Sequence, residues 1–505
     1  MYRLLNIDKD SYITNKLIAG SGSVASNVGQ AGTLDLFKIW TSGSTPTIEN
    51  SRILLHVDLG PLQTLTGTTL DITDPTFKCY LSLKDVYGGQ TTPSNFALSL
   101  VPLSKSWDEG RGRDIAAFRD LDAVNWVTAS ISGGTASPWA ITGANGQGTD
   151  YLPGYEVQQV FSRGDENLYM DVTTLVSATL SGLLPDQGWR LSFSSSLEQD
   201  DYSYFVKRFG SRHTTNPVLH PKMVVTFDDS LRDDGNQAFF GQTNTFRIYN
   251  SVRGAYSNFT SGSTSITGSN SLKLLLVTSK SIDVVTSSWQ QNFSASVTYT
   301  TQSISYFSES FPASLSGNPP LMGYYQSSVN LNPQGTASLA AFLGSDQTAV
   351  FQSYWTSLDG TVLFSSGAFI TFTVPQAGEK VIAERNFVLN VTNLKNEYLN
   401  SQVARMKVFV QDRNTELPAF HIPTTLKSLI LNNISWRLLN AFSKEVVIPF
   451  DTSATRLSSD GFGMYFDLYM TDLDPHIVYE LEFQVVENGH TYFILNEGFR
   501  FKVLP

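Results

Sequence analysis

Apolar and polar residues alternate with period two wherever this chain is patterned. In Arg52 to Leu59 the residues Ile53, Leu55, Val57 and Leu59 share one face, and in Phe96 to Leu103 the residues Phe96, Leu98 and Leu100 share another. Phe293, Ala295, Val297 and Tyr299 alternate with Asn292, Ser294, Ser296 and Thr298, and near the end Phe499, Phe501 and Val503 alternate with Arg500 and Lys502. Successive side chains of a strand point to opposite faces, so the pattern predicts half-buried strands. Helical spacing is scarce. It predicts one helix over Val172 to Leu184, with Asp171 to cap it and Gly182 and Pro185 to end it, and a shorter one over Ser338 to Leu343. The remainder reads as strands joined by loops rich in Gly, Ser, Thr, Asn and Pro, as in β-sandwiches. The expected fold class is all-β, with three consecutive β-sandwich-like domains and very little helix.

A length of 505 residues exceeds what one hydrophobic core organises. The domains are expected at 1–230, 231–376 and 377–505. Met223-Val-Val-Thr-Phe227 reads as a closing strand, and Asp228-Asp-Ser-Leu-Arg-Asp-Asp-Gly235 behind it reads as an exposed polar junction. The Ser/Thr/Gly-rich segment Ser257 to Ser271 reads as a loop tip, and Pro375-Gln-Ala-Gly378 marks the second boundary. Strands are expected at Asn386 to Thr392 and Arg405 to Val410. The chain carries no repeat of fixed period, no heptad seam and no collagen-like tract, which argues against a solenoid, a propeller or a long trimeric shaft.

Charge narrows the partners. The 34 Lys and Arg are interleaved with 45 Asp and Glu for a net charge of -11, and no basic stripe suited to nucleic acid stands out. No run approaches the roughly 18 apolar residues of a membrane span, so no membrane insertion is expected. Met1 to Asp10 lacks the features of a secretory signal, and synthesis in the cytoplasm is the expectation. Cys79 is the one cysteine, so neither an intrachain disulfide nor a thiolate zinc cluster can form. It shares a strand face with Phe77 and Leu81, which predicts a buried, inert thiol.

Candidate chemistry is thin. His56, His213, His220, His421, His476 and His490 lack the paired spacing of a local metal motif, and His56 is expected at a surface or interface. The acidic doublets Asp200-Asp201, Asp228-Asp229 and Asp233-Asp234 lack calcium-loop spacing and read as solvated turns. Gly143-Ala-Asn-Gly146-Gln-Gly148 reads as a loop, since no strand-then-helix context makes it a phosphate cradle. Neither a G-x-S-x-G elbow nor a P-loop occurs. The expectation is therefore no catalytic, cofactor-binding or metal-binding residue, and no cofactor. The 21 Tyr, 8 Trp and 32 Phe exceed what three sandwich cores need, leaving some as anchors for a subunit interface or a sugar ring. Tyr202, Tyr204 and Phe205, and Tyr324-Tyr325 after Pro319-Pro320, stand in loop-like surroundings.

The first 227 residues carry, in order, Asp10-Ser-Tyr-Ile-Thr-Asn15, Asn27-Val-Gly29, Ser51-Arg-Ile-Leu-Leu-His-Val-Asp-Leu59, Trp107-Asp-Glu-Gly110, Asn125-Trp126 and Tyr169-Met-Asp-Val-Thr-Thr-Leu-Val-Ser-Ala-Thr-Leu-Ser-Gly182. That order resembles the DNRLRE-type modules of extracellular and virion proteins. Many members place a second Trp soon after the W-x-E element, whereas here Arg111 to Arg119 intervenes before Trp126, which sets any shared ligand surface apart. The third segment looks like a module of virion structural proteins of large tailed phages. Val391-Thr-Asn-Leu-Lys-Asn-Glu-Tyr398, Arg405-Met-Lys-Val-Phe-Val-Gln-Asp412, Val446-Val-Ile-Pro-Phe-Asp451, Leu457-Ser-Ser-Asp460 and Tyr465-Phe-Asp-Leu-Tyr-Met470 carry that likeness. Together the resemblances imply a non-enzymatic structural protein of a tailed bacteriophage virion, in its tail, baseplate, neck or head surface. Its partners would be other virion proteins and copies of itself. The alternative is a carbohydrate-binding adhesin or tail fibre that recognises a host surface glycan. A glycan-degrading tail enzyme would require two carboxylates facing a cleft.

Overall fold

A computed structural model describes the chain except for residues 19–20, 43–45, 67–68, 87–91, 118–119, 236, 253–254, 280–288, 291–297, 300–305, 318–319, 376–384, 415–427 and 488. The fold is all-β, as the alternation predicts. The alternation of Phe293 to Val297, His421, Pro319 and most of the second expected boundary lie outside the described residues.

The long strand Tyr2–Thr14 organises the first domain. Its first half, Tyr2 to Asn6, pairs with Lys222–Thr226. After a register shift between Ile7 and Lys9 its second half pairs with Thr47–Val57. One strand thus serves both layers. The first layer runs Leu168–Asp171, Lys78–Leu83, Lys222–Thr226, and the second Thr47–Val57, Trp189–Phe193, Phe96–Pro102, Val157–Phe161. Leu5, Cys79, Leu81, Met223 and Val225 of one layer face Ile53, Leu55, Leu98, Leu100 and Leu191 of the other. Cys79 is fully buried, and burial raises its thiol pKa further.

Thr47–Val57 is buried on both faces, where half-burial was expected. The reason is a second, smaller core of Leu54, Trp107, Val124, Trp126 and Trp139 that covers its outer side. Arg52 is tolerated there because its guanidinium donates to both carboxylate oxygens of Glu198 (2.9 and 2.6 Å) and to the Gly143 carbonyl (2.5 Å). The predicted helix is shorter than its pattern, Thr173–Leu180; Asp171 Oδ1 accepts from the Thr173 amide at 2.9 Å, and Gly182 ends it with φ of 77°.

In the middle domain seven strands form one curled sheet in the order Ala238–Phe239, Leu363–Thr373, Thr348–Thr356, Leu272–Ser279, Tyr306–Gly317, Pro320–Val329, Asn244–Tyr249. The curl brings Phe246 to within 5.9 Å of Phe372, and Phe240 and Phe351 complete the aromatic core. The second predicted helix is Ala337–Leu343. Ser257 to Ser271 is only partly a tip: the Thr260–Ser265 hairpin is exposed, but Phe259 packs on Tyr325 and Phe364 (5.3 and 4.7 Å).

The third domain is a two-layer sandwich. One layer runs Phe387–Val391, Val403–Asp412, Gly463–Tyr469, Ser458–Asp460; the other runs Glu397–Leu399, Arg500–Leu504, Val478–Glu487, Ile434–Asn440, Val446–Ile448. Trp436 stacks on Phe466 at 4.7 Å between them.

The domains do not string out in series. Leu4 and Val224 of the first domain belong to the buried core of the third, with Tyr2 and Tyr80 packed beside them. Arg3 donates to both oxygens of Asp472 (2.6 and 3.0 Å), and the Leu4 amide adds a third bond at 3.1 Å. Arg3 also lies 3.8 Å over the Tyr469 ring, and Lys222 pairs with Asp474 at 3.1 Å.

Candidate functional site

The segment expected to be an exposed junction is instead bound along its length. Leu231 exchanges bonds with the third domain: the Ser459 amide donates to its carbonyl (2.8 Å) and its own amide donates to Ser458 Oγ (3.1 Å). The Asp233 amide donates to Ser459 Oγ at 3.2 Å. On the other side Asp234, 4% exposed, exchanges two 2.8 Å bonds with the Thr245 backbone and accepts from Arg232. The two Asp233 oxygens accept from the Gly235 and Arg247 amides (2.7 and 3.1 Å). Burial, reinforced by Asp234 and Asp460, pushes Asp233 up to about 6 against those bonds.

This bound junction floors a cleft of about 350 Å³ between the middle and third domains. Its walls come from Asn244–Tyr249, Pro320–Val329, Thr348–Thr356 and the Ser458–Tyr469 hairpin, which bring Tyr249, Tyr324, Trp355 and Tyr465 to it. Phe462, 89% exposed, stands at the rim. Arg247 lies in the wall with Nε and Nη1 both buried and without a hydrogen-bond partner, while Nη2 donates to Gln326 at 3.0 Å. The exposed Tyr249 ring in this lining suits the apolar face of a sugar.

Behind the cleft, Tyr324 meets Tyr256 at 4.7 Å and Tyr249 at 6.0 Å. Arg405 stacks 4.4 Å over Tyr465 while donating to both oxygens of Asp467 (2.9 and 2.8 Å), a bond pair that raises its already high pKa. A second cavity of about 140 Å³ touches all three domains, with Leu65 and Asp229 from the first, Tyr324 from the middle and Trp436 from the third.

The residues singled out in the sequence fall in several places. Tyr324 and Tyr325 are not in a loop: they lie in Pro320–Val329 and are 6% and 0% exposed. Tyr204 and Phe205 open the strand Tyr204–Gly210, and Tyr202 is exposed. Asp200 is no solvated turn, because it neutralises the buried Lys38 (2.5 Å) and accepts from Tyr204 (2.7 Å). Asp228 caps the Ser230 amide at 2.9 Å. The Gly143 to Gly148 loop turns carbonyls toward Arg52 and Arg190. His56 sits between Asp186 and Asp8, and hydrogen bonding to these carboxylates raises its pKa to about 9. His220 bonds the Thr214 carbonyl at 2.9 Å, and His490 is exposed. His213 stands beside Asp10 and Glu109, a grouping no local spacing rule reveals.

No protein-family model matches the chain, and no curated protein does. Among the solved structures it is similar to the fibronectin(III)-like modules of Clostridium thermocellum CbhA, at 9% identity and a TM-score of 0.14 over 55% of this chain and 93% of that one. It is also similar to Salmonella alpha-2-macroglobulin reacted with methylamine, at 9% identity and a TM-score of 0.14 over 99% of this chain and 40% of that one.

Proposed function

We propose that this chain is a non-enzymatic structural component of a tailed bacteriophage virion, working through subunit assembly. The observation that supports it best is the docking: the third domain's core takes Leu4 and Val224 from the first, and the Arg3–Asp472 pair bolts the contact. Domains joined by ordinary linkers move relative to one another. A part whose task is to hold neighbours at fixed angles gains from a shared core. Phe442 and Phe462, 82% and 89% exposed, are apolar anchors of the kind subunit interfaces cover. The edge strand Phe387–Val391 offers backbone groups to a neighbouring sheet. Symmetric self-assembly within the virion follows the usual rule for homo-oligomers. The test is mass spectrometry of density-banded particles. The chain is expected at fixed stoichiometry to the capsid protein through successive bandings, and its loss to background overturns the reading.

The cleft favours a second reading, an adhesin or tail fibre that holds a host surface glycan. Tyr249, 56% exposed, and Tyr465 bring ring faces to the cleft. A glycan array separates the two readings: specific retention abolished by Tyr249→Ala supports the adhesin, and a blank array removes it.

A further inference from the structure

We propose that Asp10, Glu109 and His213 form a binding site for one divalent first-row transition cation, with zinc as its representative. One carboxylate oxygen from each acid and a ring nitrogen of His213 all lie within 4.8 Å of one another. Donors bound tetrahedrally to zinc at roughly 2.0–2.2 Å stand about 3.3–3.6 Å from one another. His213 Nε2 and Glu109 Oε1 already meet that spacing at 3.6 Å, and the widest separation in the set, at most 4.8 Å, must close by up to about 1.4 Å when the ion binds.

Two atoms of the cluster lack a role in the fold. Asp10 is 1% exposed, and its Oδ1 has no hydrogen-bond partner, while its Oδ2 accepts from the Arg212 amide at 2.6 Å. His213 Nε2 is buried with no hydrogen-bond partner either, standing 3.6 Å from Glu109 Oε1. A buried carboxylate oxygen and an imidazole nitrogen left unpaired are costly, and a shared cation satisfies both. The charges agree. Glu109 is matched by Arg212, which donates to its two oxygens at 2.7 and 2.5 Å, so Asp10 is the surplus negative charge. The imidazole nitrogen selects zinc-like ions over calcium or magnesium, which prefer oxygen alone.

The positions are fixed before any ion arrives. Asn27, fully buried, donates to the carbonyls of Glu109 and Val124 (2.6 and 2.8 Å) and accepts from the amides of Gly29 and Gly112 (both 3.1 Å). Gly29 and Gly110 permit that closeness, since a Cβ would fall 2.1 Å from the Glu109 carbonyl oxygen and 2.3 Å from Asn27 Oδ1 respectively. The Asp10 amide donates to Glu109 Oε1 at 2.9 Å, and the His213 amide to Ser211 Oγ at 3.1 Å. The His213 side chain is 25% exposed and gives an ion a way in.

The test uses the full chain, freed of metal with a chelator and titrated with zinc by calorimetry, with bound metal counted after gel filtration. One equivalent is expected, and Co²⁺ in its place should give a visible d–d band. His213→Gln is the first variant because it removes the nitrogen and leaves the Asp10 and Glu109 bonds. It should unfold at the wild-type temperature without metal, bind zinc at least about tenfold more weakly and lose the band. Uptake by the wild type no better than by the variant, or a variant less than about tenfold weaker, overturns the proposal. Should His213→Gln misfold, Asp10→Asn takes its place with cobalt absorption as the readout: loss of the band is expected, and a band of wild-type intensity overturns the proposal.

Discussion

Replacing Asp472 by alanine undoes the contact between the first and third domains at its most polar point. Asp472 is 5% exposed and accepts from Arg3 Nε and Nη2 and from the Leu4 amide. Without it the Arg3 guanidinium, itself 4% exposed, is left buried without its counter-charge. Breaking one side of such a pair costs about 3–5 kcal/mol. The Tyr469 face, 3.8 Å from Arg3, returns about 1–2 kcal/mol of cation–π attraction in both proteins, so it does not cancel the loss. Substituting both partners by apolar residues of similar size, Arg3→Met with Asp472→Leu, leaves no stranded charge and is expected within about 2 kcal/mol of wild type. The double-mutant cycle built from Arg3→Met alone, Asp472→Leu alone and the two together should therefore show a coupling of at least about 2 kcal/mol. Hydrogen exchange at the Leu4 amide is the direct assay, because that N–H bonds to Asp472. Faster exchange at Leu4 in Arg3→Met, where Asp472 remains as the acceptor of that amide, with the ladder amides inside the first domain unchanged, would mark undocking without unfolding. A single-variant loss below about 1 kcal/mol, or additive losses in the double variant, refutes the reasoning.

Three further outcomes follow from the same geometry. Asp233 is raised from 3.8 to about 6 in the folded chain, so its contribution favours folding at low pH and is lost as pH rises from about 4 through 6; Asp233→Asn should therefore gain on wild type across that window by about 1.4 kcal/mol per pH unit, up to about 3 kcal/mol, and then level off in denaturant midpoints. A flat difference between the two proteins contradicts the assignment. Asn27→Ala strands two carbonyls and two amides in a fully buried turn, and a loss of about 3 kcal/mol or more is expected in urea titrations. Phe442→Ser with Phe462→Ser, both at exposed positions, should shift stability by no more than about 0.5 kcal/mol each while reducing self-association in sedimentation velocity; unchanged association removes these residues from the assembly surface.

Many of the strands and the two predicted helices are legible because period-two and helical spacing are local properties of sequence, whereas the short helices Gly60–Gln63 and Ser195–Gln199 are too brief to show a period. What covers a strand is not. Arg52 and Leu54 read as an outward face, yet three tryptophans from distant loops bury them. Asp233-Asp234 looks like a solvated turn because acids beside glycine usually are one; here the amides of Gly235, Thr245 and Arg247 hold the two carboxylates, and Ser459 Oγ of the third domain accepts from the Asp233 amide. Tyr324-Tyr325 follows two prolines that suggest a loop, but the strand starts at the second of them. The grouping of Asp10, Glu109 and His213 escapes any spacing rule, since a strand and two loops about a hundred residues apart must fold before the three side chains meet. The junction cleft is invisible for the same reason: its walls belong to two domains.

The assembly role is tested most directly by raising antibodies against the recombinant chain, labelling particles from the source lysate with gold and counting label on head, neck, tail and tip by electron microscopy. Gold at one fixed position, at a constant number per particle, is the predicted result. Particles that stay bare while the lysate is positive by blot would contradict a virion role and turn attention to the cleft and its glycan.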